Sequence, residues 1–123
     1  MYGDEVLGEA AQILKGAIDN KGLLARYGGE EFVAVLPNTD EDRAFIVAEL
    51  MRCNLGEHEF SRGGKTFFLT ASCGVATMAI GPNHVVSEPV LLFERADRAL
   101  YEAKTKGKAM SMIARRLGSE PTR

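Results

Sequence analysis

The sequence predicts an α+β domain in which helices cover a mainly antiparallel sheet. Three observations carry this. Apolar residues recur at helical spacing over three stretches: Gly3 to Ile18, Ala44 to Leu55 and about Val90 to Lys104. Leu24 to Pro37 reads as strand, tight turn, strand, with Gly28-Gly29 at its centre. Phe67 to Val75 alternates as a half-buried strand does. The order is therefore helix, hairpin, helix, strand, helix.

The 123 residues suit one domain, placed at 1–114, with 115–123 as a loose tail lacking periodicity. With 46% apolar residues the chain can bury a real core. The net charge of −2 comes without a basic run, which argues against a nucleic-acid surface and against a basic membrane patch. No signal peptide and no bilayer-length apolar run occur, so a cytoplasmic chain is expected, whether or not a longer parent is membrane-anchored. Cys53 and Cys73 lack metal-type spacing and read as buried, reduced thiols. His58 and His84 are isolated, which argues against a histidine-based metal site.

The first helix sets Val6, Ala10, Ile13 and Ala17 beside Leu7, Ala11, Leu14 and Ile18 in one broad stripe. Asp4 stands where a carboxylate caps free N–H groups, and Asn20-Lys21-Gly22 closes the helix. In the hairpin, the outgoing strand is apolar on both faces, with Phe32, Ala34 and Leu36 opposed to Val33 and Val35. Such a strand belongs in the middle of a covered sheet. Thr39 with Asp42 has the spacing of a capping box for the second helix, whose buried stripe is Ala44, Val47, Ala48, Met51 and Leu55. Gly63-Gly64 marks another turn. Ser87 and Pro89 mark the start of the last helix; Leu92, Ala96, Ala99 and Ala103 pack it and Gly107 ends it. Met110 to Ile113 is expected to add a short edge strand.

The hairpin also holds the chemistry. Glu30 and Glu31 are adjacent carboxylates beside a bare glycine backbone; in a strand they point to opposite faces, so at least one is expected at the sheet rim, where an anionic ligand can approach the glycines and a cation can bridge to the carboxylate. Ala25-Arg26-Tyr27-Gly28-Gly29-Glu30-Glu31-Phe32 resembles the signature of GGDEF-domain diguanylate cyclases, in the variant with Glu at the third position. Gly3-Asp4-Glu5-Val6-Leu7 resembles the family segment whose Asp contacts the guanine edge. Thr70-Ala71-Ser72-Cys73-Gly74-Val75-Ala76 resembles the family's Thr-x-Ser-x-Gly-x-Ala strand, where Gly74 lets another backbone come close. Ala96-Asp97-Arg98-Ala99-Leu100-Tyr101-Glu102-Ala103-Lys104, continuing to Gly107-Lys108, resembles the family's closing helix.

The resemblance covers Gly3 to about Lys108. It implies a nucleotide-cyclase palm fold, related to ferredoxin-like folds, that lacks the family's first strand and helix. It implies synthesis of cyclic di-GMP from two GTP with release of pyrophosphate, in bacterial second-messenger signalling. Each subunit of a head-to-head homodimer would hold one GTP, with Mg²⁺ (or Mn²⁺) as cofactor and a sensor or receiver domain upstream. Glu30 is then the metal ligand and activates the attacking hydroxyl, and Glu31 assists with a second metal. Gly28 and Gly29 let the triphosphate lie against the backbone. Asp4 suits the guanine N1–H and amino donors because an ionised carboxylate only accepts; that role is compatible with capping. Leu7 touches the base in the family pocket, or is only a core residue. Lys104 and Lys108 fall on the positions that hold the phosphates; read alone, they complement a helix C-terminus.

Two departures from the family pattern shape the expectations. The family's first strand and helix carry an Asp metal ligand, a phosphate-contacting Lys and an Asn that pairs with the guanine-binding Asp, and the chain starts after them. It is therefore expected to be part of a longer protein and to have little cyclase activity alone. An Arg-x-x-Asp product site often precedes the family signature. Here Asp19 and Gly22 stand at its ends, so tight product inhibition there is not expected. The competing reading is a non-catalytic module that binds GTP or a partner domain as a regulator. A third, an unrelated interaction domain with a chance motif, has four ordered matches against it.

Overall fold

The computed structural model describes residues 3–28, 30–77, 89–107 and 111–113. The elements run α1 (Asp4–Ile18), β1 (Leu23–Gly28), β2 (Glu31–Val35), α2 (Glu41–Glu57), β3 (Phe60–Arg62), β4 (Lys65–Phe67), β5 (Cys73–Val75), α3 (Pro89–Lys106) and β6 (Ser111–Ile113). Pairing is antiparallel in β1–β2 and β3–β4 and parallel in β5–β6. The edge strand expected at Met110 to Ile113 is β6. The expected tail, 115–123, lies outside the described residues. Among the described residues, no helix is long and apolar enough to cross a membrane.

The core sits where the helical periodicity puts it. Val6, Ala10 and Leu14 of α1 meet Leu55 of α2, Phe60 of β3 and Leu69. Phe60 is fully buried, stacks on Phe67 with ring centroids 5.6 Å apart and takes the edge of His58 at 4.6 Å. Burying such a side chain contributes about 1.5–3 kcal/mol. A second cluster joins Ala44 and Ala48 of α2 to Val75 of β5. Met51 is only partly buried, against the first cluster.

Gly74 does what the sequence suggested. A Cβ there would collide with the Ala96 carbonyl and the Leu100 backbone, so α3 lies directly on β5. Ala99 and Ala103 are buried on the packing side of α3. Gly22 does not serve as the terminator of α1. The helix ends at Ile18, Asp19 takes φ 58°, and its N–H bonds the Lys15 carbonyl. Gly22 instead passes so close to the Val35 carbonyl that no Cβ would fit.

Several local expectations are corrected. Asp4 is the first residue of α1, after Gly3, and makes no capping bond; its charge complements the helix N-terminus instead. The cap of α2 is Asp40, which accepts from the Arg43 N–H at 2.9 Å, while Thr39 donates to the Pro37 carbonyl. The strand expected over Phe67 to Val75 is broken: β4 ends at Phe67 and β5 starts at Cys73. Phe67 pairs back with Phe60 around Gly63 and Gly64, both at positive φ, a hairpin too short and polar to read as strands. The outgoing strand β2 is not central among the described residues. It pairs with β1 alone, and the partners Leu23 and Val35 are 75% and 56% exposed. Cys53 is exposed and Cys73 half-buried, because Cys53 falls off the packed stripe of α2.

Candidate functional site

The hairpin turn is braced on two sides by the elements whose residues the sequence singled out. The β1–β2 register runs Leu23–Val35 to Arg26–Phe32 and then shifts, so that Gly28 faces Glu31. The shift leaves Tyr27 as the extra residue, a bulge that re-aims side chains beside the turn. Arg26 reaches α1, its guanidinium Nη1 3.5 Å from Asp4 Oδ1. Tyr27 lies against Phe93 of α3, ring centroids 5.1 Å apart. One residue past the turn, Glu31 Oε2 lies 3.9 Å from Lys104 Nζ in the last turn of α3. The same hairpin thus links Asp4 on one helix to Lys104 on another.

These ion pairs are partly or wholly solvated; the Asp4 side chain is 94% exposed. Exposed pairs contribute at most about 1 kcal/mol, so here they orient groups more than they hold the fold. Glu30 is exposed in the turn and Gly28 is the last residue of β1, with open space where a Cβ would stand. Leu7 is 4% exposed and belongs to the packed interior, apart from the surface groups. Gly29 and Lys108 lie outside the described residues.

Glu30 and Glu31 fit a hard cation: two accessible carboxylates supply oxygen ligands, and Mg²⁺ uses one or two of these with substrate phosphates and water. Among the described residues, no group of three or more His, Cys, Asp or Glu side chains forms a metal cage.

A second polar cluster was not legible in the sequence. Glu9 of α1 contacts His58 Nε2 at 2.6 Å and accepts from Arg62 Nη2 at 3.0 Å, with Glu5 3.7 Å from the same guanidinium. The His58 hydrogen bond, and then that of Arg62, lowers the Glu9 pKa from its ordinary 4.5. Its members are 49 and 53 positions apart and share no motif. The cluster ties α1 to β3 and so fixes the helix that presents Asp4.

A hairpin backed by helices, with carboxylates, glycine backbone and a lysine at one rim, places the chain among α+β palm domains. The chain belongs to the diguanylate cyclase GGDEF domain family, whose model matches residues 1–110. It is 41% identical over 106 residues to diguanylate cyclase A of Treponema denticola, covering 86% of this chain and 28% of the relative. The solved active GGEEF domain of a diguanylate cyclase from Vibrio cholerae superposes with a TM-score of 0.73 at 34% identity, over 92% of this chain and 69% of that one. The GGDEF domain of DgcB from Caulobacter crescentus, solved with c-di-GMP, gives a TM-score of 0.76 at 26% identity, over 89% and 63%. The chain spans about a quarter to a third of the curated relatives' length. These neighbours carry the α+β palm fold expected from the sequence.

Proposed function

We propose that this domain condenses two GTP into cyclic di-GMP, releasing pyrophosphate. The observation that carries the reading is the hairpin that reaches Asp4 through Arg26 and Lys104 through Glu31, on either side of the glycine turn. Asp4 accepts from guanine N1–H and its amino group. The glycine backbone admits the triphosphate, and Lys104 and Lys108 neutralise its far end. Glu30 accepts the proton of the attacking 3′-hydroxyl and, with help from Glu31, holds Mg²⁺ or Mn²⁺. When bound, the metal offsets charge on the attacking and leaving oxygens. One domain presents one GTP, so two copies face each other for the joining step. Leu7 contributes by packing α1 beneath the base site. A cytoplasmic setting, where GTP is plentiful, and an upstream sensor or receiver domain complete the reading.

The chain alone is expected to turn over little GTP. In support, β2 has a hydrogen-bonded neighbour on one side only among the described residues. Chromatographic detection of cyclic di-GMP from GTP and Mg²⁺ tests both points. Within a longer protein that carries the domain, product should form and should vanish with Glu30→Ala; persistence of product refutes the catalytic assignment. Robust turnover by the 123-residue chain refutes the second point.

A further inference from the structure

Arg26 has no assigned role, yet it is the residue that meets the proposed base-reading acid. Its guanidinium approaches Asp4 through one terminal nitrogen at 3.5 Å, and the Arg26 side chain itself is well exposed. A guanidinium carries five N–H donors in a planar fork. Guanine presents two donors and then an acceptor along one edge, the amino group, N1–H and O6, with a second acceptor, N7, next to O6 on the adjoining Hoogsteen edge. An acid and a fork side by side reproduce that order in complement. Adenine sets an amine where guanine has O6 and a lone pair where it has N1–H, so it mismatches the arginine at one of its two contacts and the carboxylate at N1, keeping only N7 as an acceptor.

We propose that Arg26 is a further guanine-reading residue beside Asp4, donating to O6 and N7 while Asp4 accepts from N1–H and the amino group. The inference rests on the guanine-binding role given to Asp4 above. Position supports it: Arg26 is held in the β1–β2 register opposite Phe32, immediately before the bulge, so its stem is anchored by a sheet rather than a loop. Arg26 is then a specificity-determining residue that touches the base, distinct from one that only steadies Asp4.

Calorimetry separates these roles, using the 123-residue chain and its Arg26→Met variant against GTP, 7-deaza-GTP, inosine triphosphate and ATP. Loss of N7 should weaken binding to the wild-type chain by roughly tenfold, within the range of a good arginine–guanine contact. Arg26→Met should weaken GTP and bind GTP and 7-deaza-GTP equally. It should still prefer GTP to inosine triphosphate, because Asp4 continues to read the amino group. Equal melting temperatures of the two proteins would show that the fold is intact. The proposal is overturned if wild type ignores N7, or if the variant still discriminates against 7-deaza-GTP. It is also overturned if the variant loses the inosine discrimination, since Arg26 would then only position Asp4. If wild type binds no nucleotide, or does not prefer GTP to ATP, the guanine assignment itself fails and takes this proposal with it. Retained GTP preference with an indifferent Arg26→Met leaves that assignment standing.

Discussion

Glu31, the first residue of β2, and Lys104, in the last turn of α3, are joined by an ion pair of 3.9 Å between carboxylate and amine. Both are about half exposed, so the pair adds little to stability. Its consequence is placement: the amine is held beside the hairpin turn, where the proposed phosphate site lies.

Lys104→Ala should therefore separate binding from folding. Stability in urea should change by less than about 1 kcal/mol. GTP affinity, read by calorimetry, should fall on the order of tenfold, the scale of one lost charge-assisted contact to phosphate. An unchanged affinity would remove Lys104 from the phosphate site.

The Glu9 cluster sets an acid limit. Its folded pKa is depressed, so the stabilisation it gives is fully present above the ordinary value of 4.5 and is lost as pH falls through the lowered folded value. Glu9→Gln should destabilise the domain at neutral pH. The difference from wild type should shrink as the pH drops below 4.5, because protonation does to Glu9 what the substitution does. Denaturant midpoints measured across that window check the convergence; a constant offset would contradict it.

Two glycines should respond oppositely to a methyl group. Gly74→Ala drives a Cβ into the backbone of α3, and overpacking of this kind costs about 1–3 kcal/mol or more. Gly8→Ala, inside α1 with open space at the Cβ position, should stabilise by about 0.5–1 kcal/mol. Thermal melts of both variants decide it, and equal shifts would mean that α3 does not lie against β5 as observed.

The exposed pair Leu23–Val35 is an apolar patch on a ribbon that is two-stranded among the described residues. Charges at such edges suppress strand-to-strand association. Val35→Lys should lower light scattering by concentrated protein, with a stability change within about 0.5 kcal/mol, as for an exposed site. Unchanged scattering would show that this edge does not drive association.

Much of the site could be located from adjacent residues. The Gly-Gly turn with its two glutamates is local, because glycine permits the bend and the carboxylates follow directly in the chain. Neither the bulge at Tyr27 nor its contact with Phe93 could be read this way, since both depend on how α3 sits against the hairpin. Asp4 was legible as an acid at the start of α1, read as a cap that it does not form, and its partner Arg26 lies 22 positions on and met it only when β1 folded beside α1.

By itself, the sequence determined the three helices, the buried stripes of α1 and α2, the two glycine turns and the family. Each of these follows from periodicity or from neighbouring residues, where the relevant physics acts over a few bonds. Only the tertiary structure decided that Phe67 pairs back to Phe60 instead of leading into β5, that Val35 is exposed although its strand is apolar from Phe32 onward, and that Glu9, His58 and Arg62 converge. Burial and pairing depend on which surfaces meet, and apolar spacing says what a strand can cover without saying what covers it.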